Sequence, residues 1–156
     1  MVRIKPLEEF HAETSYKWRN NPDIWQYTFN RPDRIITPEI EREWLKKVLK
    51  NSDEKRFAIY FFDKYVGNIY LTSITNSTAY YGIFLGDLNY TGKGIAGEAS
   101  LQILRYAKEQ LSLSKVFLRV KKLNVGAFKL YTKLGFKVIE EIEDYYKMEI
   151  DLATLT

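Results

Sequence analysis

Two periods of apolar residues alternate along the chain. Phe57, Ile59 and Phe61 interleave with Ala58, Tyr60 and Phe62, so both sides of this segment are apolar and the spacing predicts a strand covered on both faces, in the centre of its sheet. Asp63-Lys64-Tyr65 is the expected turn and Val66–Thr72 the returning strand. Further strands are expected over Val2–Lys5, Ala79–Leu85, Lys115–Val120, Phe136–Ile142 and Tyr145–Leu152. A helical period takes over elsewhere. Ile40, Trp44 and Val48 form a stripe behind Thr37-Pro38, which reads as an N-cap with proline at the first helical position. Ala127, Leu130, Tyr131 and Leu134 form another stripe, with Asn124 placed to cap the helix and Gly135 to end it in a left-handed conformation.

Two more helices are expected, over Leu7–Asn20, stopped by Pro22, and over Ala96–Leu111. The stretch Asn21–Ile36, with two prolines and several aromatics, reads as a loop holding a short helical piece. The order is strand, two helices, three strands, helix, strand, helix, two strands. It predicts one α/β domain over residues 1–156, with a mixed, mostly antiparallel sheet of six to seven strands flanked by about four helices.

Composition narrows the chemistry. The chain has no cysteine and a single histidine, His11, so disulfides, thiolate metal sites and histidine-rich metal sites are excluded. His11 itself is expected in a solvated position on the first helix. The net charge of +4 suits an anionic ligand. Acidic and basic residues are nevertheless interspersed, as in Glu39, Glu41, Arg42, Glu43, Lys46 and Lys47, and this argues against the continuous basic stripe of a nucleic-acid binder. The opening Met1-Val2-Arg3-Ile4-Lys5 lacks the apolar run of a signal peptide, and no segment is apolar for long enough to span a membrane. A cytoplasmic location without membrane partners is therefore expected. Exposed tyrosines permit a homodimer but do not require one.

Thr91-Gly92-Lys93-Gly94-Ile95-Ala96-Gly97 lies between a predicted strand and a predicted amphipathic helix. Glycines let the backbone turn with positive φ and approach a ligand closely. The first amides of the following helix are unpaired donors at its positive end, an arrangement suited to a pyrophosphate. A Walker loop would need Ser or Thr after Lys93, where Gly94 stands, and a Rossmann fingerprint would need a parallel βαβ unit early in the domain.

The second segment runs from Asn124 to Phe136. Together the two segments resemble the GNAT superfamily of acetyltransferases. Thr91-Gly92-Lys93-Gly94-Ile95-Ala96 is similar to that family's Gln/Arg-x-x-Gly-x-Gly/Ala motif, with Thr91 where Gln or Arg is usual. Asn124, Ala127, Tyr131, Gly135 and Phe136 match its later Asn-x-x-Ala-x-x-x-Tyr-x-x-x-Gly-Phe stretch. The resemblance is good over residues 55–150 and loose before them.

The resemblance implies that residues 55–152 would form the acetyl-CoA core and residues 1–54 would shape the acceptor site. It also implies a role for each matching position. Backbone amides of Gly92, Lys93, Gly94, Ile95, Ala96 and Gly97 would hold the coenzyme A pyrophosphate, and Asn124 would contact the cofactor arm. An amide near Leu85 would polarise the thioester carbonyl, beside the gap between its strand and the one carrying Leu118. Tyr131 would protonate the departing thiolate, since a phenol stays protonated at neutral pH. The general base is left open among Tyr80, Tyr81 and Asp87. On the acceptor side, Arg19, Trp25, Tyr27 and Tyr81 are candidate substrate contacts, and Arg19, Arg31 and Arg34 are placed to grip a diphosphate. This region looks like two subgroups, one acting on nucleotide-linked amino sugars and one on ribosomal-protein N-termini. A polyamine acceptor would instead use Asp23, Asp33 and Glu39. A domain that binds acetyl-CoA without catalysis is the non-enzymatic alternative, and an intact Tyr131 speaks against it.

Overall fold

Seven strands form one sheet in a computed structural model that describes residues 1–25 and 32–155. They are β1 (Val2–Pro6), β2 (Lys55–Phe61), β3 (Lys64–Thr72), β4 (Thr78–Leu85), β5 (Lys115–Lys121), β6 (Lys137–Ile142) and β7 (Tyr145–Asp151). Their spatial order is β1-β2-β3-β4-β5-β7-β6, and only β4 and β5 run parallel. Five helices accompany them among the described residues: α1 (Ala12–Arg19), α2 (Pro22–Trp25), α3 (Pro38–Val48), α4 (Ile95–Glu109) and α5 (Val125–Leu134). The predicted α/β class and the mostly antiparallel sheet are both found.

Strand alternation sorts the core into two layers. On one face Ile59, Ile69, Leu71, Tyr81, Val116, Leu118, Met148 and Ile150 pack with Ile95, Ala99 and Ile103 of α4 and Tyr131 of α5. On the other, Ala58 packs with Leu7, Ala12, Leu45 and Val48 around α1 and α3. This explains why β2 is apolar on both sides. It is covered twice, yet it lies second from the sheet edge, not at the centre as its pattern implied.

Three local expectations are revised. Tyr65 lies inside β3; the turn is Phe62-Asp63, with Phe62 at φ 55°. The first helix starts later than Leu7, because the Leu7 amide still bonds the Arg56 carbonyl at 3.0 Å and keeps the chain extended. A 3-10 turn at Glu9–His11 then leads into α1.

The third concerns His11, which is only 3% exposed rather than solvated. Its Nδ1 lies 3.0 Å from the Glu8 amide and 3.3 Å from the Glu8 carbonyl, and its Nε2 is hydrogen-bonded to the Tyr60 hydroxyl at 2.9 Å. The ring stacks on Phe10 and tilts against Tyr65. Burial disfavours the imidazolium and lowers the His11 pKa, with a smaller opposing effect from Glu8.

A depressed histidine pKa means that the unfolded chain takes the proton first. The His11 contribution to stability is therefore complete above the ordinary imidazole pKa and is lost as the pH falls through the window just below it. Urea unfolding between pH 7 and 5 should show His11→Gln losing stability less steeply than the wild type, by at most about 1.4 kcal/mol per pH unit.

Candidate active site

The only parallel pair of the sheet is also its shortest. β4 meets β5 at Thr78↔Lys115, Ala79↔Val116 and Tyr80↔Phe117, and no further. Beyond that point β4 stays with β3 as far as Leu85, while β5 stays with β7 along its whole length. A wedge therefore opens between residues 81–85 and 118–121, with half-buried Leu85 at its wide end. Just past it, Trp18 of α1 packs flat on Gly86, where a Cβ would lie 1.8 Å from the indole. The same ring contacts Tyr65 and Phe84, so α1 is fastened to the end of β4.

The glycine turn sits beyond this end. Gly92 and Gly94 adopt φ of 75° and 77°, and the space in front of each is open, with no neighbouring atom within 4 Å of where a Cβ would stand. Gly94 caps α4, its carbonyl accepting the Glu98 amide at 3.2 Å. The amides of Ile95, Ala96 and Gly97 thus precede the first amide with an intrahelical acceptor, that of Glu98. Ile95 is buried and anchors the helix start, while Lys93 is exposed. Unpaired donors, open space and a helix dipole fit a pyrophosphate.

α5 begins at Asn124, whose Oδ1 accepts the Ala127 amide at 3.3 Å, and ends at Gly135 with φ 113°. Both termini are as the sequence predicts. Between them Tyr131 is 8% exposed and meets Tyr81 edge-on, with ring centres 5.7 Å apart at 90°. Burial pushes the Tyr131 pKa well up and the nearby Tyr70 adds to this, while the neighbouring Tyr81 hydroxyl works the other way. The phenol is therefore protonated throughout the physiological range. Tyr81, a candidate substrate contact and base, joins this cluster instead of meeting Arg19. It is 6% exposed and its hydroxyl lies 2.5 Å from Ser100 Oγ on α4.

The opposite face of the sheet carries a different chemistry. Arg19 stacks on Trp44 at 4.7 Å, Arg56 lies 5.0 Å from the same ring, and Arg56 also covers Tyr70 at 4.8 Å. Tyr70 pairs across from Gly82, whose missing side chain makes room for the ring; a Cβ there would lie 2.3 Å from it. Burial raises the Tyr70 pKa, and the positive charges of Arg56, Arg119 and Arg19 counter it. Sequence reasoning missed Tyr70, Arg56 and Arg119, because only the strand register brings them beside Arg19.

Arg19 is held from below. Its Nε lies 3.4 Å from Oε1 of Glu41, a carboxylate 1% exposed whose other oxygen accepts from Ser15 at 2.7 Å. Burial raises the Glu41 pKa, countered by Ser15 and Arg19. Asn20, at the end of α1, exchanges hydrogen bonds with the Ile36 backbone at 2.7 and 2.8 Å. Of the other candidates, Asp87 is paired with Lys64 at 3.1 Å. Slight burial works against its charge, but Lys64 and the Asn89 amide prevail and hold its pKa below the carboxylate norm, which weakens it as a base. Tyr80 lies against Phe117 and Lys147, and Arg34 is exposed. The Trp25 side chain, Tyr27 and Arg31 lie outside the described residues.

This arrangement is that of a known class. The chain belongs to the acetyltransferase (GNAT) domain family, whose model matches residues 2–137. It is 29% identical over 149 residues to acetyltransferase PseH of Campylobacter jejuni subsp. jejuni, covering 94% of this chain and 91% of the relative. It is also 29% identical over 143 residues to spermidine N(1)-acetyltransferase of Escherichia coli K12, covering 90% and 75%. The C. jejuni PseH structure in complex with acetyl coenzyme A superposes with a TM-score of 0.76 at 25% identity, covering 97% of this chain and 99% of that one. A Vibrio cholerae spermidine N-acetyltransferase, in complex with CoA and spermine, superposes at 0.90 with 23% identity, covering 99% and 97%. The protein is an N-acetyltransferase that uses acetyl-CoA as acyl donor. No helix among the described residues is long and apolar enough to cross a membrane.

Removing the cation above Glu41 should leave a buried charge without its counterion. Arg19→Met is expected to lower stability at pH 7 by about 2 kcal/mol. The deficit should shrink on acidification, as the raised Glu41 pKa lets that carboxyl become neutral; chemical denaturation at pH 7 and 5 measures both.

Proposed function

We propose that the acceptor is the primary amine of a nucleotide-linked amino sugar, acetylated by direct attack, with Tyr131 as general acid. The observation that carries the acceptor assignment is the charge of the face opposite α4 and α5. Arg19 and Arg56 stack on Trp44, Arg56 also covers Tyr70, and Arg119 adds positive charge to the same face, offering guanidinium groups to a diphosphate and aromatic rings to a base. The nearby carboxylates Glu41 and Glu54 are each engaged by an arginine. Asp23, Asp33 and Glu39, the alternative partners for a polyamine, are exposed. A polycation such as spermidine would meet a positive surface there, and a diphosphate a complementary one.

The donor side follows the same logic. The amides of residues 92–97, with Lys93, hold the pyrophosphate at the start of α4. Asn124 flanks the pantetheine arm, and the Leu85 amide faces the thioester carbonyl as an oxyanion donor. Acetyl-CoA supplies an activated acyl carbon and a thiolate leaving group. Tyr131 meets that thiolate from the buried side of the wedge, and its high pKa keeps the proton in place until sulfur takes it. Residues 1–54 shape the acceptor pocket.

Calorimetry with acetyl-CoA should give micromolar-range binding for the wild type and Tyr131→Phe, and a severe loss for Gly94→Trp, which fills the open space before the turn. Tyr131→Phe should lower kcat about 100-fold. In the acceptor assay, uridine diphosphate should compete with the amine substrate, and Arg56→Ala should weaken that competition about tenfold or more. Efficient turnover of spermidine that is indifferent to nucleoside diphosphates would replace the acceptor assignment with a polyamine one.

A further inference from the structure

One hydroxyl reaches the wedge from the face opposite α4 and α5. Tyr70 pairs with Gly82, and its ring does not stand over its own strand. A Cβ on Gly82 would lie 2.3 Å from Cε2 of Tyr70, 2.5 Å from its Cζ and 2.6 Å from its hydroxyl oxygen. The phenol thus lies across β4 in the gap that glycine leaves, with its hydroxyl carried toward the edge that β4 leaves free of β5. Gly82 is two residues beyond Tyr80, the last position of β4 that pairs with β5, so the ring marks the start of the wedge. On the other lip, Phe117 contacts Tyr80, and strand alternation sets Arg119 on the same face, two residues further along β5. Arg56 covers the Tyr70 ring at 4.8 Å.

Tyr131 takes the buried side of the wedge, so an amine has the opposite face by which to approach, and the Tyr70 hydroxyl stands on that path. We propose that Tyr70 is the residue that meets the attacking amine, its hydroxyl oxygen accepting one N–H and so aiming the nitrogen lone pair at the acyl carbon. The proposal rests on the reading of the wedge as the seat of the thioester. Nitrogen bonds to the acyl carbon, and the C–S bond breaks with its electron pair going to sulfur. The nitrogen then releases its extra proton to water, while the departing thiolate takes a proton from Tyr131 that solvent restores. Burial keeps the Tyr70 phenol protonated at neutral pH, so it orients the amine and is not its base.

Tyr70→Phe keeps the ring under Arg56 and removes only the oxygen. Its kcat/KM for the amine should fall about tenfold or more, with the KM for acetyl-CoA unchanged. The probes are a uridine-diphosphate amino sugar and spermidine. The loss should appear with whichever of them the protein acetylates, because it concerns the reacting nitrogen. Gly82→Ala, whose methyl group would displace the ring, should lower the rate in the wild type and add nothing in Tyr70→Ala. The cofactor alone gives a reading independent of the acceptor. In protein carrying tyrosine labelled with 13C at Cζ, the Tyr70 signal is assigned by its loss in Tyr70→Phe. It should differ between the complexes with acetyl-CoA and with CoA, since the acetyl group stands beside the hydroxyl. An undiminished kcat/KM in Tyr70→Phe overturns the contact with the amine. Identical Tyr70 signals in the two complexes overturn its placement at the wedge. A loss in Tyr70→Phe with spermidine, in a protein indifferent to uridine diphosphate, replaces the nucleotide-linked acceptor and supports the role of Tyr70.

Discussion

The brevity of the β4–β5 pairing governs the rest of the molecule. Three paired positions bind two parallel strands, after which each follows its antiparallel partner. A sheet that stayed closed would separate the two sides completely. By parting, it gives the layer beneath α4 and α5 an opening toward the layer beneath α1 and α3. The glycine turn at Gly92–Gly97 and the buried Tyr131 lie on one side of that opening, and the arginine-bearing surface around Tyr70 lies on the other.

Each side has its own way of holding polar groups. On the face covered by α4 and α5, hydroxyls are enclosed by apolar residues, so burial keeps them neutral at physiological pH. On the opposite face, charges are stacked and counter-paired: Glu41 with Arg19, Glu54 beside Arg56, and both guanidinium groups over Trp44. A neutral phenol suits departure of a thiolate, and fixed cations suit capture of an anion. This contrast across one sheet is what supports the proposed division of donor and acceptor between its faces.

Much of this was legible in the sequence where the signal is local. Thr37-Pro38 and Asn124 cap their helices as their residue types predict, and Gly94 and Gly135 take the left-handed conformations that glycine allows. The spacing of the Gly-rich turn and Tyr131 was enough to indicate the family. What escaped depends on register and on partners distant in the chain. His11 is buried because Tyr60, 49 positions later, offers it a hydrogen bond. Tyr70 became visible only through its pairing with Gly82, and Tyr81 changed sides because strand alternation turns it toward α4. The double burial of β2 was read correctly from its pattern, but burial on two faces does not fix rank within a sheet.

The seat of Trp18 on Gly86 joins α1 to the residue that follows β4. No side chain fits at position 86 while the indole is there, and a smaller residue at position 18 would leave α1 unfastened from β4. Positions 18 and 86 are therefore coupled: neither can change alone without a clash or a void, and a helix on one face of the sheet is locked to the strand end beside the wedge, so that the two respond to any load as one body.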